Sequence, residues 1–508
     1  MNIWSSVVRV GCCAIMASGV AEAGDLYVQK SVGNDANPGD AWGAGHALAT
    51  IQRALVLAQG QAGADTIHVA AGTYNEHLQV GSDVSLLGSY PASGSGPRNR
   101  DTSPSIIDAT GIVDGSGHRM SAIDIHNASQ TTLDRFVVTN GRNEVDGNGI
   151  GGGASIVYCT GTVTLTNNLF ENNWASWGGG VGIMTHSAEP VPVITLTGNL
   201  IRNNDSGHGG GVSVWDATAV LDNNTLTANT TNEQGGGLVA GDASLTLTRN
   251  TISANHASSG GGIAWSGCRA LSASDNTIVS NQATYDGGGI LHQSCAGHLA
   301  NNIIQQNRAG NWGGGINLYT AHPETFVNNL ITDNTAAANG GGVSLYDGST
   351  AVIVNNTLAN NQANGIGGGL YVHNGTSATL RNSILWANQA AQITDNGTVQ
   401  ITYSDIAGGW SGVGNLSQDP LFADPTAGDY HLRSQGGRYQ PATHTWVTDN
   451  LHSPAIDAGN PTDAFANETQ PNGARINLGA FGNTAQASRS NIGLKLPDRG
   501  GWRAILGR

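Results

Sequence analysis

Apolar and polar residues alternate directly after each of nine glycine triplets, which begin at residues 151, 178, 209, 235, 260, 287, 313, 340 and 367. Val212 and Val214, Ile316 and Leu318, Val343 and Leu345, and Leu370 and Val372 show the pattern, and a period of two is that of a half-buried strand. About 15 residues into each unit a second strand-like run leads into asparagine. Asparagines then recur five residues apart: Asn168 and Asn173, Asn199 and Asn204, Asn224 and Asn229, Asn250 and Asn255, Asn276 and Asn281, Asn302 and Asn307, Asn329 and Asn334, Asn356 and Asn361. The final unit stretches this to six, Asn382 and Asn388.

Triplets 25 to 31 residues apart have the regular period of a solenoid, too short for helix-pair repeats or propeller blades, and no heptads or long 3.6-period runs accompany them. The prediction is therefore an all-β right-handed parallel β-helix in which each unit is one coil. Stacking places like residues ~4.8 Å apart along the axis, where asparagine amides can bond from coil to coil. The asparagine rows read as structural ladders. The glycines read as corners needing backbone angles that glycine adopts cheaply, or close approach to the next coil. Upstream, Ile51, Ala54, Leu55 and Ala58 fall on one helical face, which predicts a helix covering the N-terminal end of the stack, whose open edge would otherwise template aggregation.

The expected organisation is a signal peptide over 1–23, an N-terminal cap over 24–64, the β-helix over 65–403 with its glycine and asparagine repeats over 149–390, a β-rich C-terminal region over 404–490 and a tail over 491–508. The leader follows from Arg9, the uncharged run from Val10 to Val20, and Ala21-Glu22-Ala23 before Gly24, the small-x-small pattern of a cleavage site. No later segment is long enough to span a bilayer. A secreted or cell-surface location is expected, with the periplasm as an alternative, and the protein is expected to be a monomer. The 21 basic residues against 36 acids exclude a nucleic-acid partner, which needs clustered lysine and arginine.

The unit Asn168-Leu169-Phe170-Glu171-Asn172-Asn173, closing on Gly178-Gly179-Gly180-Val181, resembles the repeat of chlamydial polymorphic outer membrane proteins over residues 149–390. That resemblance implies a surface β-helix, but without autotransport. Leu26-Tyr27-Val28, Thr50-Ile51-Gln52-Arg53-Ala54, Asp65-Thr66-Ile67-His68-Val69 and Gly72-Thr73-Tyr74-Asn75-Glu76 resemble the opening of pectate-lyase-like β-helix proteins. Downstream, Tyr403-Ser404-Asp405-Ile406, Asp419-Pro420-Leu421-Phe422, Gly428-Asp429-Tyr430-His431-Leu432, Ser453-Pro454-Ala455-Ile456-Asp457-Ala458-Gly459 and Arg475-Ile476-Asn477-Leu478-Gly479-Ala480-Phe481-Gly482 resemble the choice-of-anchor Q domain. An exported protein is implied, and the bare structural alternative for this region is an edge cap on the last coil.

The pectate-lyase-like fold houses polysaccharide lyases and hydrolases as well as binders, so fold alone does not decide function. Elimination on uronates needs a base and a cation, usually calcium held by grouped carboxylates. Hydrolysis needs two carboxylates across a cleft. The only lysines, Lys30 and Lys495, lie outside the coils, and the coil acids Asp216, Asp242, Asp275, Asp286, Asp333 and Asp347 are spread along the stack. No catalytic residue is assigned, no cofactor is expected, and calcium enters only under the lyase alternative.

Binding of a polysaccharide or surface glycan is favoured instead, with an inert spacer as the third class. Trp177, His208, Trp215, Trp312, Tyr319, Tyr346, Tyr371 and His373 are read as outward residues flanking the glycine corners. Trp215, Tyr319, Tyr346 and His373 each stand six residues after the start of their triplet, which places them in one external row with Asp216 and Asp347 beside it. Gly241, Ser266 and Gln293 interrupt that row. Cys268 and Cys295, eight residues into adjacent units, are expected to be neighbours able to form a disulfide or an inward thiol stack. Cys159, at the same offset in a distant coil, is expected to stay free.

Overall fold

The computed structural model describes residues 24–59, 65–81, 83–94, 96–144, 149–185, 192–321 and 323–491. The expected signal peptide and all but the first residue of the expected tail lie outside the described residues. A typical coil, beginning at Gly287, runs through four short strands: Ile290–Gln293, Gly297–Ala300, Ile303–Gln305 and Arg308–Ala309. Like strands pair in parallel from coil to coil, building sheets of 12, 14, 13 and 9 strands in the order in which a coil visits them. Inward residues of the first three sheets, such as Ile290, Leu299 and Ile304, are at most 1% exposed. They belong to one continuous core that runs from Leu26 to Ile406.

The asparagine ladders are present in both rows. Asn281 donates from Nδ2 to the carbonyl of Ile252 (2.9 Å) and to Asn307 Oδ1 (3.0 Å), while its own Oδ1 accepts from the Asn255 backbone N–H and Nδ2 (3.0 Å each). Each amide thus satisfies the coil before it and the coil after it. The residue just before each ladder asparagine turns the corner in the left-handed region, as at Asn301 (φ 55°) and Gln306 (φ 55°), a conformation that asparagine tolerates better than most residues. This corrects the final unit. Asn382 is the corner residue (φ 54°) and Ser383 takes the ladder place, accepting from the Asn356 N–H (3.1 Å), so the five-residue spacing to Asn388 is kept.

Each triplet glycine has its own reason. The first lies at positive φ, 66° at Gly287, where a side chain is strained. The second and third lie against the next coil: a Cβ on Gly288 would sit 2.4 Å from the Gly314 carbonyl oxygen, and one on Gly289 would sit 2.7 Å from that of Gly315.

At the N-terminal end the helix Ile51–Ala58 buries Ile51, Ala54, Leu55 and Ala58, the face expected of it, and its first N–H groups are held by Thr50 and by the carboxylate of Glu76. The C-terminal residues do two things. Trp410 packs on the end of the core, and Asn415 extends the first ladder, accepting from the Ser404 N–H (3.1 Å) and donating to the Ile401 carbonyl (3.0 Å). The rest folds back along the side of the stack. The outward corner residues Asn328, Asn355 and Asn360 bond Ala480, Asn477 and Tyr430, and Phe422, Tyr430, Leu432 and Leu478 form a second core with Leu330, Ala359 and Ile384.

This clamp contains a buried acid. Glu468 is 4% exposed, and burial, with Asp457 adding to it, pushes its carboxyl up from 4.5 to about 7 despite two backbone N–H donors. Between those values the folded clamp binds a proton that the unfolded chain does not, so the contribution of this group to stability is fully present below pH 4.5 and is lost as pH rises through about 7. The full loss is about 3 kcal/mol. Melting of the clamp, followed at pH 5 and pH 8, should therefore show a lower Tm at the higher pH, and Glu468→Gln should remove most of that difference. An equal pH response in the variant would contradict the assignment.

Candidate functional site

The glycine corner between the fourth and first sheets is concave. Residues four positions after each triplet start face outward from the first sheet, yet Ser213, Val239, Ala264, Leu291, Asn317, Ser344 and Tyr371 are all at most 4% exposed. The first glycine folds over them: a Cβ on Gly260 would lie 2.7 Å from Ala264 Cβ, and one on Gly313 would lie 2.7 Å from Asn317 Cβ. These residues thus form a covered line along the stack. Tyr371 belongs to that line and is buried, which corrects its expected outward position.

Two register lines flank this covered line. One holds the residues just before the triplets, where Trp177 pairs with His208. The other holds the residues at offset six, in the unbroken order Met184, Trp215, Gly241, Ser266, Gln293, Tyr319 and Tyr346, with the His373 ring tilted against Tyr346. The expected row exists, but it is divided into two aromatic banks. In the first, Trp177 stacks on His208 (ring centroids 4.1 Å apart) and meets Trp215 edge-on (5.1 Å). In the second, Tyr346 is packed by Trp312 (4.5 Å), Tyr319 (5.8 Å) and His373 (4.5 Å).

Gly241 is part of the first bank, because the six-membered ring of Trp215 occupies the space that a Cβ there would take, 2.1 Å away. Trp215 also packs on Val239, Ala264 and Leu291, and its Nε1 is buried without a hydrogen-bond partner. Between the banks, half-buried Asp286 accepts from the Trp312 N–H (3.0 Å) and Asn311 Nδ2 (2.9 Å), and desolvation raises its carboxyl pKa above the ordinary value. Desolvation likewise lowers the pKa of His208, which favours the neutral ring. Asp347 is exposed, and its carboxylate raises the pKa of the Tyr319 phenol. Asp216 does not stand open beside the row. It is ion-paired to Arg269, a partner two coils on that the offset pattern did not point to.

Two cavities lie elsewhere, in the seam between the coils and the C-terminal clamp. One of about 710 Å³ is lined by residues including Asn301, Asn328, Phe481 and Asn483, and one of about 260 Å³ by residues including Trp386, Tyr430 and Arg433. Among the described residues, only Cys268, His292 and Cys295 form a group of three or more histidine, cysteine, aspartate or glutamate side chains with converging donor atoms. No such group of carboxylates, as a calcium-assisted elimination would use, is found there. Cys159, Cys268 and Cys295 are unbridged thiols. His292 and Glu324 escaped the sequence reading, although His292 falls at the inward offset where other coils carry Val214, Leu318 and Leu345.

No helix among the described residues is long and apolar enough to cross a membrane. No curated protein matches the chain. Solved structures with similar coils include XylC in complex with xylose (10% identity, TM-score 0.43, covering 78% of this chain and 87% of that one). Another is the pectate lyase Pel9A (13%, 0.34, 91% and 97%). A third is PfbA, a surface adhesin of Streptococcus pneumoniae (14%, 0.34, 79% and 94%). A family described as "Protein of unknown function (DUF1565)" matches residues 31–240. The family described as "Right handed beta helix region" matches residues 187–357 and 300–406, and with the stacked parallel sheets this match makes the chain a right-handed β-helix repeat protein.

Proposed function

We propose that this protein acts outside the cell or on its surface and binds a glycan across the aromatic side chains beside the glycine corners. The observation that carries this reading is the pair of aromatic banks, four coils apart from Trp215 to Tyr319, or ~19 Å at the strand spacing. Ser266, Gln293 and Asp286 lie between them. An extended chain of about four sugar residues fits that span. Rings within a bank already face one another, so each bank offers its outer face and its polar edges to a sugar, not one ring per residue. Asp286 and exposed Asp347 disfavour a densely anionic ligand. The expected partner is a neutral or weakly charged glycan, held with little dependence on salt.

The test is a glycan array followed by titration of the best ligand. Changing Tyr319→Ala and Tyr346→Ala together leaves the fold intact, because other coils carry Gly241 and Ser266 on the same line. It should weaken binding about tenfold or more, since a ring contact is worth roughly 0.5–1.5 kcal/mol beyond burial and 1.4 kcal/mol is tenfold. Full affinity in the double variant would remove the second aromatic bank from the binding site. Absence of any glycan ligand would leave the stack as a spacer, and release of unsaturated uronides from an acidic polysaccharide would make it a lyase.

A further inference from the structure

Polar side chains replace apolar ones at several linked interior positions in consecutive coils. The inward column at offset five reads Val214, Ala240, Trp265, His292, Leu318, Leu345, and the corner column at offset eight reads Ala217, Ala243, Cys268, Cys295, Ala321. His292 is fully buried, Cys295 is 7% exposed and Cys268 is partly exposed. The two sulfurs and a His292 ring nitrogen lie within 4.8 Å of one another, with Nε2 2.8 Å from Cys295 Sγ. The other ring nitrogen, Nδ1, is 2.9 Å from Glu324 Oε2. Glu324 is 0% exposed in a column that otherwise carries Leu271 and Ala351, and neither of its carboxylate oxygens nor His292 Nδ1 makes a hydrogen bond of good geometry despite the 2.9 Å approach. Gly297 makes the room: a Cβ there would sit 2.9 Å from Glu324 Oε1 and 3.0 Å from His292 Cε1. Burying such groups is costly unless something compensates them.

We propose that Cys268, Cys295 and His292 bind a zinc ion, with Glu324 as the carboxylate that orients the histidine. Two thiolates and an imidazole are a donor set that selects thiophilic cations, zinc foremost. Zn–S bonds of ~2.3 Å and Zn–N bonds of ~2.0–2.1 Å put tetrahedral sulfur and nitrogen ligands ~3.5 Å apart, so His292 and Cys295 need to separate by less than ~1 Å. A small rotation of the imidazole as the ion binds would align Nδ1–H with the Glu324 carboxylate 2.9 Å away, fixing the tautomer that presents Nε2 to the metal in a carboxylate–histidine–zinc arrangement. Binding releases the two thiol protons as the sulfurs become thiolates, and the fourth position is left to water. Partly exposed Cys268 marks the side from which an ion gains access. The same geometry disfavours a Cys–His–Glu acyl-transfer triad, since the buried Cys295 and His292 leave no room for a substrate carbonyl.

The probe is cobalt(II) added to the full chain after reduction and removal of metal. Expected is one cobalt per chain, with thiolate-to-cobalt charge-transfer absorption that an equimolar amount of zinc abolishes. Cys268→Ala and Cys295→Ala install the residue that neighbouring coils carry at that offset, and His292→Leu does the same in its own column, so each should fold, as checked by circular dichroism, and lose the absorption. Glu324→Gln should keep the site but weaken it about 10–100-fold. The proposal is overturned if the wild type shows no thiolate–cobalt absorption, if folded single-ligand variants keep it, or if peptide mapping of unreduced protein finds Cys268 bridged to Cys295.

Discussion

Alanine at Gly288 is expected to cost about 3 kcal/mol or more of stability. Its methyl would lie 2.4 Å from both the Gly314 carbonyl oxygen and the Arg308 carbonyl carbon. Both obstacles are backbone, held by parallel ladders at the end of the same coil and the start of the next, so relief requires moving the stack itself. Gly375 provides the control. It has positive φ (79°) but nothing within 4 Å of an added Cβ, so Gly375→Ala should cost only the conformational penalty of about 1–2 kcal/mol. Chemical denaturation of the two variants separates close approach from backbone strain. A loss at Gly288 no larger than that at Gly375 would mean that the coils can spread to admit a methyl group without penalty.

The period, the two asparagine rows, the glycine corners and the apolar face of the N-terminal helix were legible because a solenoid maps sequence offset directly onto spatial columns. Gly287, Asn281 and Ile290 each stand for a column. Legibility failed where one letter serves two geometries. Asn382 and Ser383 differ in role because the left-handed corner and the ladder both accept asparagine, and only the backbone angle separates them. Tyr371 alternates like an exposed residue, but the concave corner covers it. Gly241 looked like a gap in the aromatic row and instead holds the ring of Trp215. The C-terminal residues carry no period, so nothing in their pattern indicated that Asn328 and Asn355 would bond to them along the flank. His292 and Glu324 were within reach of the column logic, as histidine and glutamate at inward offsets. Their meeting with Cys268 and Cys295 joins three different columns, which a single offset does not reveal.

Substituting Asn281 tests the ladder at its centre. In Asn281→Leu the Asn255 N–H and one Asn255 Nδ2 donor lose their acceptor, and the Ile252 carbonyl and Asn307 Oδ1 lose a donor. All of these groups are buried. A stranded buried group costs about 1–3 kcal/mol, and Asn307 Oδ1 keeps the backbone N–H of residue 281, so the expected loss is about 3–6 kcal/mol. Asn281→Ser should lose less, because Ser383 shows how a hydroxyl serves in the ladder: it accepts the Asn356 N–H (3.1 Å) and donates to the Arg381 carbonyl (3.0 Å). Hydrogen exchange should localise the effect, with protection falling at the amides of Asn255 and Thr230, whose acceptors are the Asn281 side chain and the Asn204 carbonyl, more at the former than at the latter. Because stability in a stack of coils is a sum of units and interfaces between neighbours, the weakened interface should open as a local step before the ends melt. Uniform loss of protection along all coils, or a leucine variant no less stable than the serine one, would show that the amide chain is not what joins the coils.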